Sequence, residues 1–278
     1  MTFGVRMNSE TAGRWANTKA RFRRGPGTTY RKLQSLKFLL TRDHRAVRHF
    51  LRTPFARPMS LAARLSMLAQ YMRITHAVRG YHTLTEILTV TEAILKRINP
   101  VVVEAGAGSG SSTAKLSIAT RAAGGRLLVF DSFQGIPEND DVHHLLDGRP
   151  LTFRRGAFRG RLTAVKKRVA MFGAPEVCTF HKGWFEDTLP AFDARPDVVL
   201  LDVDLLSSTK TCVREIMPRL KEDGILFSQD GHIREIVALF LDEAYWRDEV
   251  GIEPPAVERR PKLLALRPRG VTQPGRAG

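Results

Sequence analysis

The sequence predicts an α/β fold: a Rossmann-like, doubly wound and mostly parallel sheet of seven strands that follows an N-terminal helical extension. Two observations support this prediction. After Pro100, short runs rich in β-branched residues alternate with stretches of helical periodicity, which is typical of parallel βαβ units. The charge is also unevenly divided, because most of the net charge of +16 lies before residue 81. Six of the strands can be placed, at Val101–Val103, Arg126–Phe130, Val177–Phe180, Asp197–Leu201, Gly224–Ser228 and Lys262–Leu266.

The composition is that of a soluble globular protein, with 278 residues of which 43% are hydrophobic and 26% charged. Two cysteines, Cys178 and Cys212, are too few for a disulfide framework and favour a reducing compartment. No apolar stretch reaches the roughly 18 residues that a membrane span needs, and the first residues lack the apolar region of a secretory signal. We therefore expect a cytoplasmic protein.

The N-terminal extension, residues 1–80, is strongly basic. It contains 17 Lys and Arg residues against the two acids Glu10 and Asp43. We expect residues 1–28 to be mobile, with amphipathic helices over 30–50 and after Pro58 that form a lid or an oligomer contact. Such a charge density suits an anionic surface, and the apolar residues between Leu33 and Leu40 favour the inner face of a membrane over nucleic acid.

The main domain is predicted to span residues 81–278. Its first helix begins at a capping box, Thr83 to Glu86, and closes at Asn99-Pro100. The helices that connect the strands are expected at residues 112–123, 161–172, 208–220 and 232–245.

A glycine-rich turn follows the first strand. The glycines are Gly106, Gly108 and Gly110, whereas a dinucleotide-binding turn would place its third glycine at Ser111. With Glu104 ahead of it, this G-x-G-x-G pattern is the first motif of S-adenosylmethionine-dependent methyltransferases. The residues alone leave open the alternative of a purely structural turn.

Asp131 ends the second predicted strand, 25 residues after Gly106. A carboxylate at the tip of the strand next to the glycine turn is placed to accept hydrogen bonds from both ribose hydroxyls of a nucleoside cofactor. An N-capping or turn aspartate is the alternative interpretation.

Three further segments strengthen the interpretation. The stretches Asp131–Pro137, Lys182–Pro190 and Leu201–Leu205, the last followed by Ser207-Ser208-Thr209, resemble the macrocin O-methyltransferase family. Members of this family methylate hydroxyls on the sugars of natural products. The resemblance covers roughly residues 84–245 and implies a hydroxyl acceptor on a small molecule, a sugar or a glycoconjugate.

The resemblance also implies roles for residues of the cofactor site. Glu104 and the Gly106–Gly110 turn would hold the methionine end of S-adenosylmethionine. Asp131 and Ser132 would bind the ribose, and Trp184 would lie near the adenine.

Relatives that use Mg²⁺ carry three acidic ligands, one at the position of Asp202 and two at the positions of Gln229 and Asp230. This chain departs from that pattern at Gln229. Because Mg²⁺ accepts both carboxylate and amide oxygens, we expect a weaker site built from Asp202, Gln229 and Asp230, against the alternative that the two aspartates only cap the fold.

The base that deprotonates the acceptor hydroxyl has two candidates, His232 and Asp204, and Asp204 would alternatively orient Asp202. His143 and His144 are candidates to line the acceptor pocket or to be simply exposed. Two other functions stay open: an RNA-directed methyltransferase guided by the basic extension, and a catalytically silent binding protein, which Gln229 favours.

Overall fold

The computed structural model describes residues 43–259 and 262–269. Within them lies a seven-stranded sheet of order β5-β2-β1-β6-β7-β9-β8, in which the first five strands are parallel and β9 runs antiparallel to both neighbours. A separate two-stranded hairpin pairs β3 with β4. The strands are β1 (Val101–Ala105), β2 (Arg126–Asp131), β3 (His143–His144), β4 (Pro150–Leu151), β5 (Cys178–Lys182), β6 (Val198–Leu201), β7 (Ile225–Ser228), β8 (Ala256–Arg259) and β9 (Leu264–Arg267).

The predicted fold class is confirmed, and the six predicted strands are present with shifts of a few residues at their ends. The seventh, β8, follows Pro254-Pro255 and forms a largely exposed edge of the sheet. The chain crosses from β2 outward to β5 and then back over β1 to β6, so the direction of winding reverses between β1 and β6. In open sheets of this kind, ligands bind at the carboxyl ends of the strands at that point.

Helices cover both faces of the sheet. Each connects successive strands or precedes the first one, and their bounds are as follows: α1 (His44–Arg52), α2 (Leu61–Ala77), α3 (Leu84–Leu95), α4 (Ser111–Ala123), α5 (Leu162–Phe172), α6 (Phe185–Thr188), α7 (Leu206–Ile216), α8 (Arg234–Leu241) and α9 (Glu243–Tyr245). Among the described residues, no helix is both long enough and apolar enough to cross a membrane.

The helices α1 and α2 pack into the same core as the sheet. Phe50, Tyr71 and Ile74 are almost completely buried, in one apolar cluster with the strand residues Val102 and Leu127. Residues 43–78 therefore contribute to the stability of the sheet. The division at residue 80 stays a prediction, and the part of the basic extension at residues 1–42 lies outside the described residues.

The predicted capping box is confirmed. The Thr83 hydroxyl accepts from the Glu86 N–H at 3.2 Å, and the Glu86 carboxylate accepts from the Thr83 N–H at 2.7 Å. The helix that it opens ends at Leu95, four residues before the predicted boundary at Asn99.

The last predicted helix, residues 232–245, is divided in two. Asp242 interrupts it by accepting from the N–H groups of Ala244 and Tyr245, so that it caps α9 rather than continuing α8. A π-helical turn at Trp246–Val250 follows, and the buried Trp246 indole donates to the carbonyl of Phe240. Burial of this large side chain decides the break, which the helical periodicity did not predict.

Candidate active site

The glycine turn connects β1 to α4. It lies at the carboxyl end of β1, where the winding of the sheet reverses between β1 and β6. All three glycines have left-handed φ angles, +92° at Gly106, +48° at Gly108 and +83° at Gly110. A Cβ at Gly106 would lie 2.1 Å from the backbone oxygen of Asp202, at the end of the adjacent strand β6. Glycine is therefore required here by the approach of a second strand end, in addition to the turn itself.

Glu104 lies in β1 and is completely buried. Neither of its carboxylate oxygens has a hydrogen-bond partner among the described residues. Burial raises its pKa to about 7; the nearby Ser112 and Thr113 hydroxyls oppose this rise, and the Asp131 and Asp202 carboxylates reinforce it. Because an unpaired buried carboxylate is costly, this position fits a ligand that brings a cation, such as the amine of S-adenosylmethionine.

Asp131, at the tip of β2, holds the glycine turn in place. One carboxylate oxygen accepts from the N–H groups of Ala107 at 2.7 Å and Gly108 at 3.1 Å, and the other accepts from the N–H of Phe133 at 2.5 Å. Burial raises the pKa of Asp131, and these three backbone donors oppose the rise. Asp131 thus joins the turn to its own strand end, next to where the ribose is expected.

Ser132 and Trp184 flank this end of the site. Ser132 is buried, and its hydroxyl accepts from the N–H of Gln134 at 3.1 Å. Trp184 is half-buried at the N-terminal boundary of α6, just after β5. The adenine contact of Trp184 and the ribose contact of Ser132 stay predictions.

Three carboxylates converge at the ends of β6 and β7. Asp202, Asp204 and Asp230 each bring an oxygen to within 4.8 Å of those of the other two. Asp204 has a φ of +64°, which is unusual for a residue other than glycine, and its N–H donates to Asp230 at 3.1 Å. This hydrogen bond fixes the turn that brings Asp204 beside the strand ends.

Gln229 takes a different direction from the one expected of a metal ligand. Its side chain is almost fully buried, and the amide nitrogen donates to the Glu86 carboxylate of α3 at 3.1 Å. The three side chains that converge are thus Asp202, Asp204 and Asp230, whereas the sequence predicted Asp202, Gln229 and Asp230. Three carboxylates suit a hard cation such as Mg²⁺. The ligand role of Gln229 stays a prediction.

A short segment that sequence reasoning missed also borders the site. We call Val78–Thr83, between α2 and α3, the strap. Its His82 is buried, with Nε2 located 3.6 Å from a carboxylate oxygen of Asp202. Burial lowers the pKa of His82 to about 4; Glu86 opposes this, and Lys115 and Lys262 add to it, so the imidazole is neutral near pH 7.

Lys115 is the second residue that was missed. It is buried in α4, and its ammonium donates to the Ser111 hydroxyl at 3.4 Å. Burial lowers its pKa to about 8. The available signal was a lysine near the start of a helix, among small and apolar residues.

The insertion between β2 and α5, residues 132–161, covers the carboxyl ends of β6 and β7. His143 is fully buried, and its Nε2 accepts from the N–H of Leu206 at the start of α7. Asp141 accepts from both the N–H and the hydroxyl of Ser207. These contacts make the insertion a wall of the site and give His143 a helix-capping role rather than an exposed position.

His144 and His232 take part in the contacts between the insertion and the region of α8. His144 pairs with Glu235 of α8 at 2.8 Å. Burial would raise the pKa of Glu235, but hydrogen bonds from His144 and Arg234 lower it to about 2. His232 is half-buried before α8, and its carbonyl accepts from the N–H of Leu146. Its role as a base stays a prediction.

Comparison with known proteins agrees with the resemblance drawn from the sequence. The family model for macrocin O-methyltransferases matches residues 27–258. A protein of Streptomyces olivaceus, named as an 8-demethyl-8-(2,3-dimethoxy-alpha-L-rhamnosyl)-tetracenomycin-C 4'-O-methyltransferase, is 32% identical over 164 residues. The match covers 56% of this chain and spans 63% of that relative's length.

Solved structures share the fold. The calicheamicin methyltransferase CalS11 superposes with a TM-score of 0.52 at 18% identity, covering 81% of this chain and 90% of that protein. The O-methyltransferase NovP superposes with a TM-score of 0.51 at 18% identity, covering 87% of this chain and 100% of that protein. At these identities the likeness concerns the fold alone.

Proposed function

The chain belongs to the macrocin O-methyltransferase family, and from this premise we propose that it transfers the methyl group of S-adenosylmethionine to a hydroxyl of a small molecule, a sugar or a glycoconjugate. The observation that carries the proposal is the contact between the two parts of the site. The glycine turn at Gly106 approaches the backbone of Asp202 so closely that a Cβ would collide with it. A donor on the turn and an acceptor at the carboxylates would therefore be neighbours.

On the donor side, each residue has a defined task. Glu104 pairs with the amine of the methionine moiety, and Asp131 with Ser132 binds the ribose hydroxyls while Asp131 keeps the turn in shape. Trp184 bounds the adenine. S-adenosylmethionine supplies a methyl group made electrophilic by its sulfonium.

On the acceptor side, a hydroxyl near neutral pH is a poor nucleophile, so a base must take its proton as the new bond forms. The hydroxyl oxygen bonds to the methyl carbon, and the carbon–sulfur bond breaks with its electron pair left on sulfur. In this proposal Asp204 receives the proton, which its position beside Asp202 and Asp230 supports. His232 is the second candidate base.

Asp202, Asp204 and Asp230 would hold Mg²⁺, which when bound would lower the pKa of the acceptor hydroxyl and fix its position. With Asp204 then engaged as a ligand, His232 would be the base. The carboxylates themselves orient the acceptor toward the turn. The S. olivaceus relative is named for the 4'-hydroxyl of a rhamnosyl group, which supports a sugar hydroxyl on an aromatic natural product as the first class of acceptor to test.

The test begins with binding. Calorimetry should give S-adenosylhomocysteine binding to a single site, with NAD as the control ligand, followed by mass spectrometry of glycosides incubated with S-adenosylmethionine. Gain of one methyl group on a sugar is the expected product. Binding of NAD in preference to S-adenosylhomocysteine, or methylation of RNA alone, would contradict the proposal.

The basic extension supports a second, independent proposal, that the chain is cytoplasmic and contacts an anionic membrane surface. Residues 1–42 alone contain ten Lys and Arg and one acid. Because residues 43–78 belong to the core, the test is a deletion of 1–42 only. The full chain should sediment with anionic liposomes at low salt, and the deleted chain should not. A shift of RNA in a gel without liposome binding would instead favour nucleic acid as the partner of the extension.

The predicted homo-oligomer is a separate question, which sedimentation velocity of the full chain tests.

A further inference from the structure

The side chain of Gln229 connects two distant parts of the chain. It lies just after β7, yet its amide nitrogen donates to the Oε2 of Glu86, 143 residues earlier. The same Oε2 accepts from the N–H of Thr83 at 2.7 Å. One carboxylate oxygen therefore closes the capping box of α3 and receives the amide from the sheet end.

The position of the strap, which enters α3 at Thr83, depends on these hydrogen bonds to Glu86. It crosses the start of α4, where a Cβ at Gly80 would lie 2.6 Å from the Ser111 hydroxyl. The ring of Tyr81 packs edge to face against the ring of Phe158, which belongs to the insertion, and the ring centroids are 5.2 Å apart. His82 borders Asp202. Within six residues the strap thus contacts the helix after the glycine turn, the insertion and the carboxylates.

We propose that Gln229 is a positioning residue, which ties the strap to the end of β7 through Glu86 and so holds His82 beside Asp202, rather than a ligand of the cation. The proposal rests on the proposed function only in that Asp202 takes part in methyl transfer. The tether itself is a property of the chain without any ligand.

The identity of residue 229 follows from Glu86. A carboxylate at this position would face the Glu86 carboxylate in a buried place, where like charges repel strongly. An amide donates instead and satisfies Glu86. Residue 229 is therefore an amide, and not a third acidic ligand, because Glu86 in the capping box needs a hydrogen-bond donor there. The amide oxygen, which has no partner among the described residues, is what a ligand role would use.

The first experiment uses Gln229→Asn, which keeps the amide but shortens its reach. Hydrogen exchange of residues 78–83 in the ligand-free chain should become at least tenfold faster. Mn²⁺ affinity, measured by electron paramagnetic resonance, should change less than twofold. In turnover, the acceptor KM should rise with kcat little changed. Gln70→Asn on α2 is the matched control, since within the described part of the chain that amide donates only to Ser66 of its own helix.

The opposite result would overturn the proposal: unchanged exchange of the strap, with or without a tenfold loss of Mn²⁺ affinity. A chain that binds no Mn²⁺ removes the ligand alternative, and the exchange measurement then decides. Because that measurement needs neither cofactor nor acceptor, a failure of the methyltransferase proposal would be seen separately, in the binding of S-adenosylhomocysteine.

A second pair of variants tests the link to Glu86. Gln229→Glu should speed exchange of the strap and lower the melting temperature, because it opposes two carboxylates. Adding Glu86→Gln removes the repulsion between the two carboxylates and lets an amide donate to a carboxylate across the same contact, so exchange of the strap should become slower than in Gln229→Glu alone. Absence of rescue, or tighter Mn²⁺ binding by Gln229→Glu with an unchanged strap, would contradict the tether. If the single variant does not fold, the double variant and Gln229→Asn remain decisive.

Discussion

The proposed donor and acceptor halves of the site are built in different ways. Most of the donor half comes from one continuous stretch, Val101 to Ser132, to which only Trp184 is added from elsewhere, and the turn at its centre is made of glycines and backbone N–H groups. The acceptor half is assembled from side chains of four separate segments: the strap, the insertion and the ends of β6 and β7. A backbone-built half suits a constant ligand such as the cofactor, whereas a half built from side chains can change with the acceptor at little cost to the fold.

The largest effect is expected where the halves touch. Gly106→Ala combines a left-handed φ with a Cβ 2.1 Å from the Asp202 carbonyl oxygen, so both halves should be disturbed. We expect loss of S-adenosylhomocysteine binding by more than about 100-fold and a fall in unfolding free energy well beyond the ~1 kcal/mol of an unfavourable φ alone. Calorimetry and thermal denaturation measure these effects.

Gly148→Ala is the matched control for that variant. Its φ is +85°, but nothing lies within 4 Å of its added Cβ. It should show the conformational cost only. If the two variants behave alike, the halves do not meet at Gly106.

Asp204→Asn should separate the halves. Loss of the proposed base should lower kcat by about 10²–10⁴-fold, the usual contribution of general base catalysis, while S-adenosylhomocysteine affinity stays within about twofold. The exposed Asp193→Asn is a control for loss of one charge. A parallel loss of cofactor affinity would mean that the halves are not independent.

Asp131→Ala should act on the donor half alone. It removes the proposed hydrogen-bond acceptor for the ribose and the bonds from the N–H groups of Ala107 and Gly108, so we expect S-adenosylhomocysteine binding to weaken by about 1.5–3 kcal/mol. Asp131→Asn, which keeps one acceptor oxygen, should lose less. Undiminished binding by the alanine variant in calorimetry would refute the assignment of Asp131.

The pH dependence of cofactor binding should report on Glu104. With a pKa of about 7 in the free chain, its ionised fraction rises roughly tenfold between pH 6 and 8, so binding through the amine should strengthen by a similar factor. The stability of the chain without cofactor should instead decrease as the pH rises. Because folding raises this pKa from 4.5, the stabilising contribution is complete below about pH 4.5 and is lost as the pH rises through 7.

Glu104→Gln should abolish both trends, which calorimetry and thermal denaturation at several pH values would detect. Retention of the full binding trend in this variant would assign it to another group, such as Lys115, whose pKa is about 8.

The smallest effect is expected for His144→Ala in the acceptor half. The pair with Glu235 is partly exposed, so its loss should lower the unfolding free energy by less than ~1 kcal/mol. A modest rise in the acceptor KM, up to about threefold, should accompany unchanged cofactor affinity. A change in cofactor affinity would show that the insertion also shapes the donor half.

The sequence by itself determined the features that depend on neighbouring residues. Six strands of the sheet, the capping box at Thr83 and Glu86, and the glycine turn could be predicted, because each is specified by periodicity, by a spacing of three residues or by a short motif. Asp131 could be placed because it ends the strand that follows the glycine turn and one helix, 25 residues after Gly106. Recognition of the family added the carboxylates at the ends of β6 and β7.

Tertiary structure alone decided how distant segments meet. Nothing near Gln229 in the sequence indicates Glu86, and nothing near His82 indicates Asp202, since side chains 143 and 120 positions apart become neighbours only when the sheet and its helices are packed. The break at Asp242 and the placement of α1 and α2 in the core likewise follow from burial of large side chains such as Trp246 and Tyr71. Local patterns set where helices and strands form, but the favourable free energy of burying apolar surface depends on which segments come together, and that selects the contacts of the acceptor half.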